Sequence, residues 1–359
     1  MNMNMNTNDR TTGERTANDI NDIEEIKKEK KPEINPGKLS PVPPPHVKHS
    51  ETTAVIMSRV LIALLPAFVW AVILFGYRAV TLTLISVISC VLFEFLYQRI
   101  MRKPVRISDL SAAVTGILIA FSLPVNAPLW APVVGGAFAV IIVKQSFGGI
   151  GKNIINPAAA ARVFLFLSFN FMSAFQDIDA PKLSAFEINP TVTAGETPIY
   201  FLGHGLPPPS VSILDMILGQ QGGSLGEVSA LLLLAGAVYL MIRKVIAWHI
   251  PVSFIGAVAL ISFVFPPLGA EHVEFTIMQI LTGGLILGAF FMATDYATSP
   301  VSTTGKIIFG AGCGFITIFI RYFGNAQEAV PFAVIIMNTL VWYIDRLTKP
   351  VKFGGVTKK

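Results

Sequence analysis

Charge is what this sequence has least of. Only 14% of its 359 residues are Asp, Glu, Lys or Arg, against roughly 25% in soluble domains, so much of its surface must face something other than water. Cysteine is almost missing: Cys90 and Cys313 stand alone in apolar runs, with no CxxC or Cys/His spacing. That excludes an iron–sulfur cluster or zinc site built by this chain alone and leaves both as small buried hydrophobes. The histidines are few, and His204, His249 and His272 show no HExxH and no paired spacing on one helix, so no haem or zinc role is read from them. No basic leader with a short apolar core and a small-residue cleavage site opens the chain, so the first hydrophobic helix is expected to be an uncleaved anchor. The basic excess of +5 sits at segment ends and in loops, which points to membrane orientation and away from nucleic acid.

Apolar residues are abundant: 53% of the chain is hydrophobic and the mean hydropathy is +0.63. Residues 1–40 are the exception. They open on the low-complexity Met1 to Asn6 alternation, carry Lys27, Lys28, Lys30 and Lys31 beside a comparable number of acids, and lack aromatics. Such a segment cannot bury enough apolar surface to offset its ordering entropy, and a disordered cytoplasmic tail is expected.

A bilayer core takes about 20 apolar residues per helix. Candidate spans lie at about 54–75, 79–96, 109–123, 129–143 and 157–172, and again at 228–242, 251–265, 277–293, 306–319 and 330–343. The expected fold class is therefore an all-α integral membrane protein with about ten transmembrane helices. A first set fills residues 41–172, a polar excursion 173–226, a second set 227–345 and a C-terminal tail 346–359.

Lys and Arg should be enriched on the cytoplasmic side. With the N-terminus inside, the inner loops carry Arg99, Arg102, Lys103 and Arg106, then Lys144 and Lys152, then Arg243 and Lys244, then Lys306, then Arg346, Lys349, Lys352, Lys358 and Lys359; the outer ones carry only Arg78, Lys182 and Arg321. Both termini are thus expected in the cytoplasm and 173–226 outside. The halves also echo each other weakly, Thr115-Gly116-Ile117-Leu118-Ile119 against Thr282-Gly283-Gly284-Leu285-Ile286. Two copies with an odd number of spans must be inverted, a plan that places sites near the midplane.

Phe147-Gly148-Gly149-Ile150-Gly151-Lys152 superficially suggests a phosphate loop, but a membrane span precedes it where a dinucleotide fingerprint needs a soluble strand. Asn156-Pro157 followed by four alanines instead reads as an N-cap, a proline at the first helical position and a good helix former. Thr191-Val192-Thr193-Ala194-Gly195-Glu196-Thr197-Pro198-Ile199 offers hydroxyls on a small-residue loop stiffened by proline; by composition it is a turn. Charges within spans are costly and usually paired or functional. Arg59 is expected to snorkel to the inner interface, and Glu94 and Arg162 to pair across helices. Asp109 and Asp295, beside the two echoing segments, are either helix caps or the lining of an ion or cofactor site.

Several segments in succession resemble one family, the RnfD subunits of the Rnf electron-transport complex and their relatives, the NqrB subunits of the sodium-pumping NADH:quinone reductase. The carriers, between Pro41 and Gly355, are Pro43-Pro44-Pro45-His46, Ser108-Asp109-Leu110-Ser111 with Val114-Thr115-Gly116, and Lys144-Gln145-Ser146-Phe147-Gly148-Gly149-Ile150-Gly151 leading into Asn156-Pro157-Ala158. Gly283-Gly284 through Met292-Ala293-Thr294-Asp295-Tyr296-Ala297-Thr298-Ser299-Pro300 completes them.

The resemblance implies a multi-pass subunit in the cell inner membrane, relaying electrons between reduced ferredoxin and NAD and coupling them to Na+ or H+ movement, with no complete active site of its own. It implies FMN attached through its phosphate to a threonine by an extracytoplasmic flavin transferase, and the matching position is Thr197. Glu196 departs from the small residue usual there, which leaves Thr193 as the fallback acceptor. It further implies a second, noncovalent flavin such as riboflavin, and the other Rnf subunits, A, B, C, E and G, as partners. Two other readings stand beside it: a channel or transporter of the urea/ammonium-channel-like fold that this family's fold is said to resemble, without a redox role, and a structural anchor for partner subunits.

Overall fold

The computed structural model describes residues 52–173, 175–176, 182–188, 190, 194–195, 212–219, 223–227, 229–267, 271–324 and 329–349. Thr193 and Thr197 lie outside these residues, as do the N-terminal tail and the last ten residues.

Helix α1 (Thr53–Phe75) starts where the Thr52 hydroxyl accepts from the Val55 N–H. Its 23 residues give about 34 Å at 1.5 Å each, enough for a hydrocarbon core. Gly76, at φ 72°, turns the chain directly into α2 (Tyr77–Ile100). After a short turn at Ile107–Asp109, Leu110 at φ 61° breaks the path and α3 (Ser111–Phe121) begins. Helix α4 (Ala131–Gln145) is α-helical to Ala137 and then loosens to π winding over Phe138–Gln145. Helix α5 (Pro157–Ser168) opens on the expected cap, with Asn156 accepting from Ala158 and Ala159 N–H and proline at the first position.

In the excursion, β1 (Phe175–Gln176) pairs antiparallel with β2 (Ala194–Gly195), a small exception to the all-α expectation. Helix α6 (Ile213–Leu218) follows, then α7 (Ala230–Ile242) and α8 (His249–Val264). The segment expected at 277–293 is broken into α9 (His272–Leu281) and α10 (Leu285–Met292), bent by 59° at Gly283 and Gly284, both at positive φ. Helices α11 (Thr303–Phe323) and α12 (Val330–Leu347) close the fold.

Among the described residues, α1, α2, α11 and α12 are long and apolar enough to cross a membrane, and the bent pair makes five spans if counted as one. Five more apolar helices, α3, α4, α5, α7 and α8, run only 10–17 residues. Exposed Ile62, Leu65, Val69 and Ile73 on α1 and Phe315 and Phe319 on α11 present the apolar faces expected of a lipid-facing bundle. Inside, α11 packs on α8 at backbone distance: a Cβ on Gly310 would meet Ile250 O at 2.6 Å, and one on Gly314 would meet Phe254 O at 2.7 Å. Small residues at such crossings are how apolar helices associate without a hydrophobic drive.

Candidate functional site

Glu94 and Gln98 lie one turn apart on α2, share a face and are buried, at 1% and 5% exposure. Where α4 has π winding, two consecutive residues reach the same carboxylate: Lys144 Nζ donates to Glu94 Oε2 at 2.8 Å and Gln145 Nε2 to Glu94 Oε1 at 2.7 Å. Gln98 Nε2 adds a third bond at 3.3 Å. π winding inside an α-helix often marks a functional position, and the stretch Phe138–Gln145 aims Lys144 inward.

The network continues into the break before α3. Lys144 Nζ also donates to Ser111 Oγ at 2.7 Å, and the Ser111 hydroxyl donates to Asp109 Oδ1 at 2.6 Å. Asp109 Oδ1 accepts the Ser111 N–H as well, at 2.9 Å. Asp109 is thus a cap-like acceptor at the start of α3, joined to the interior through Ser111.

Asp295 lies in the turn after α10. It accepts from Ala297 N, from Thr298 Oγ1 and from Asn153 Nδ2, each at 3.4 Å. Burial holds its carboxyl above the ordinary carboxylate range, and these hydrogen bonds pull the other way. The loops of the two halves are tied together here. Asn156 Nδ2 donates to Met292 O at 3.0 Å; Asn338, with its amide oriented to satisfy both ends, accepts from Asn156 N–H and donates to Thr298 O. Ser111, Lys144, Asn153, Asn156 and Asp295 line one half-open cavity with Tyr296, and its volume is about 100 Å³. The cavity has room for roughly three waters, and both the Lys144 ammonium and the Asp295 carboxyl line it.

A second polar nest sits at the break between α9 and α10. Arg321 of α11, 4% exposed, donates to Gln279 O at 2.7 Å and Gln279 Oε1 at 2.8 Å, and to Thr282 O at 2.9 Å and Gly283 O at 3.4 Å. These carbonyls are the ones a helix end leaves without intrahelical partners. On the other side of the break, a Cβ on Gly284 would lie 3.0 Å from Glu227 Oε1, so a carboxylate stands at the N-terminal start of α10. Each charge has the sign that favours its helix end.

Three expectations need correction or completion. Glu94 does not pair with Arg162; its partner is Lys144, and Arg162 Nη1 instead approaches Met172 Sδ at 3.4 Å. Lys144, counted as an inner-loop cation, is 2% exposed. Arg78 and Arg321, counted as outer-loop cations, are buried too. Among the described residues no group of three His, Cys, Asp or Glu side chains is placed to hold a metal ion.

The sequence matches the NQR2, RnfD, RnfE family over residues 42–354. It is 43% identical over 317 residues to the D subunit of the Na+-translocating ferredoxin:NAD+ oxidoreductase complex of Acetobacterium woodii, covering 88% of this chain and 94% of that one. The D subunit of the proton-translocating ferredoxin:NAD+ oxidoreductase complex of Clostridium ljungdahlii is 36% identical over 323 residues, covering 86% and 94%. Its counterpart in the ion-translocating oxidoreductase complex of Stutzerimonas stutzeri is also 36% identical over 323 residues, covering 83% and 91%. With every described helix inside the matched region, this chain belongs to the NQR2, RnfD, RnfE family.

Proposed function

We propose that this chain is the flavin-carrying membrane subunit of an ion-translocating ferredoxin:NAD oxidoreductase. It relays electrons within the cell inner membrane and couples them to Na+ or H+ movement, in assembly with the other Rnf subunits. The observation that carries this is the 43% identity to a relative named for that complex, running over 88% of the chain. In this reading the chain makes ten spans in two inverted five-helix repeats, 41–172 and 227–345, with both termini in the cytoplasm and 173–226 outside. The inversion follows from two copies that each hold an odd number of spans, and the repeat itself from the echo of Thr115-Gly116-Ile117-Leu118-Ile119 in Thr282-Gly283-Gly284-Leu285-Ile286.

Thr197 is the proposed point of FMN attachment, as a phosphoester made by an exported flavin transferase, with Thr193 as the alternative. The described chain nearby suits it: β2 holds Ala194–Gly195 against Phe175–Gln176, and Phe175 is buried at 2% exposure. The acceptor therefore follows an anchored strand by two residues. Bound there, a flavin supplies one- or two-electron transfer, while the protein contributes position and dielectric. A second, noncovalent flavin such as riboflavin is kept as part of this reading. No residue is assigned to it. Asp109 and Asp295 are proposed as parts of an ion path, Asp295 on the cavity wall and Asp109 behind Ser111.

The test is a denaturing gel of the complex from its native host under ultraviolet light. A fluorescent band at this chain, lost in Thr197→Ala and kept in Thr193→Ala, is expected. A colourless chain that passes solute in vesicles would turn the assignment to a channel. Ferredoxin-dependent NAD reduction by the reconstituted complex, with Na+ varied, identifies the ion.

A further inference from the structure

We infer that Arg78 is the positioning residue for the flavin-bearing excursion, clamping its stretch 182–188 to the corner between α1 and α2. The inference rests on the flavin assignment above and adds to it a residue that never touches the flavin.

Arg78 stands two residues beyond Gly76, and its side chain is fully buried, at 0% exposure. Its guanidinium serves two chain segments at once. Nε donates to Val125 O at 3.3 Å and Nη2 to Ala127 O at 2.7 Å, which fixes the α3–α4 connection. Nη1 donates to Glu187 O and to Ala185 O at 3.5 Å, which fixes the excursion. The planar fork of arginine suits such a two-sided clamp, whereas a lysine offers a single ammonium.

Hydrophobic burial accounts for only part of where 182–188 lies: Leu183 packs against the core, but the residues beside the clamp do not follow it. Phe186 and Ile188, the large apolar side chains nearest the clamp, are 78% and 65% exposed. The Ala185 and Glu187 carbonyls face Arg78 while Phe186 and Ile188 stay exposed, so beyond Leu183 the stretch is held by hydrogen bonds. Among the described residues, further ties run from Lys182 Nζ to Ile73 O at 2.9 Å and from Leu129 N–H to Ile188 O at 3.4 Å. At the far end of the excursion Trp70 Nε1 donates to Leu218 O at 2.9 Å. The α1–α2 corner therefore supplies Trp70, Ile73 and Arg78 to both ends of the segment that carries Thr197.

A charge buried at the end of a membrane helix is expensive and is kept for function or for a specific partner. Here the partners are the backbones of the α3–α4 connection and of the excursion, and the consequence is a fixed distance between the attachment segment and the helices. A shift of that segment changes the distance over which a flavin attached there exchanges electrons, and with it the rate of the relay.

The experiment uses the intact complex in native membranes, with Arg78→Ala, Arg78→Lys and Lys182→Ala. Three readouts are taken: flavin fluorescence of the denatured chain, hydrogen exchange at 182–188, and ferredoxin-dependent NAD reduction per fluorescent chain. In Arg78→Ala, fluorescence stays within about twofold, exchange at 182–188 rises about tenfold or more, and the rate per flavin falls severalfold. Arg78→Lys recovers part of both. Unchanged exchange in Arg78→Ala, or faster exchange with full rate per flavin, overturns the inference. So does activity lost only in proportion to lost flavin. Should Arg78→Ala not assemble, a graded rise in exchange with a parallel fall in rate across Lys182→Ala and Arg78→Lys supports it, and full rate in both despite faster exchange overturns it. A wild-type chain without fluorescence defeats the flavin assignment, while the exchange measurement still reports on the clamp.

Discussion

Lys144 Nζ lies 2.8 Å from Glu94 Oε2 with both side chains almost wholly buried, fifty residues apart in sequence and on two different helices. Removing one partner of such a pair leaves a bare charge, typically at a cost of about 3–5 kcal/mol, while replacing both with neutral residues is often far milder. Lys144→Met should therefore lower the melting temperature of the detergent-solubilised chain more than the Glu94→Gln, Lys144→Met double variant does. Equal or additive losses would show that the two groups do not depend on each other.

Much of the helical plan was legible in the sequence, because apolar runs report burial in lipid or core without reference to any partner. The Asn156-Pro157 cap was legible for the same reason, being a local motif that closes its own hydrogen bonds. The site was legible only in pieces. A lone cation at a helix end reads alike whether it reaches water or turns inward, and the acceptors of Lys144, Arg78 and Arg321 all lie at least 33 residues away. One signal did point to two of them, though not to Lys144: Arg78 and Arg321, with Lys182, are the cations that depart from the charge bias, and each donates to backbone carbonyls. The bend at Gly283 and Gly284 was announced by the glycines, whereas Leu110 at φ 61° carries no such mark.

Arg321 satisfies the carbonyls freed at the α9–α10 break. Orphaned buried acceptors cost about 1–3 kcal/mol each. Arg321→Met should destabilise the fold by roughly 3 kcal/mol or more, and Arg321→Lys by less, since one ammonium replaces part of the fork. Denaturant unfolding in detergent checks the order, and a Met variant as stable as the wild type would remove Arg321 from this role.

Asn156 joins two tasks, capping α5 and holding Met292 O. Asn156→Ala should cost about 1–2 kcal/mol as a lost cap alone, with a further loss from the freed tie to the other half. Asn156→Asp keeps the cap oxygen but not the donor, so it should fall between. Thermal melts of the three chains give the ranking, and an Asp variant worse than Ala would contradict it.

Asp295 supplies the pH dependence. Burial raises its carboxyl above the unfolded value, so between those two values the folded chain binds more protons than the unfolded one. Stability then declines as pH rises through that window and stays lower above it. Comparing wild type with Asp295→Asn isolates the group: lowering the pH from neutrality toward the carboxylate range should improve the wild type relative to the variant. A difference that stays flat, or moves the other way, would mean that the Asp295 environment favours the charged form.

Orientation can be read with single cysteines because the native thiols are silent, Cys90 and Cys313 both being buried at 0% exposure. Ser184 in the excursion and Ser146 in the α4–α5 loop are both exposed, so accessibility to a membrane-impermeant maleimide depends on the side of the membrane. The loop with Ser146 lies between Lys144 and Lys152, on the side that the cation bias assigns to the cytoplasm. In spheroplasts, Ser184→Cys should label directly and Ser146→Cys only after permeabilisation. The reverse order would place the excursion inside, out of reach of an exported transferase, and Thr197 would have to be given up as the flavin site together with the orientation.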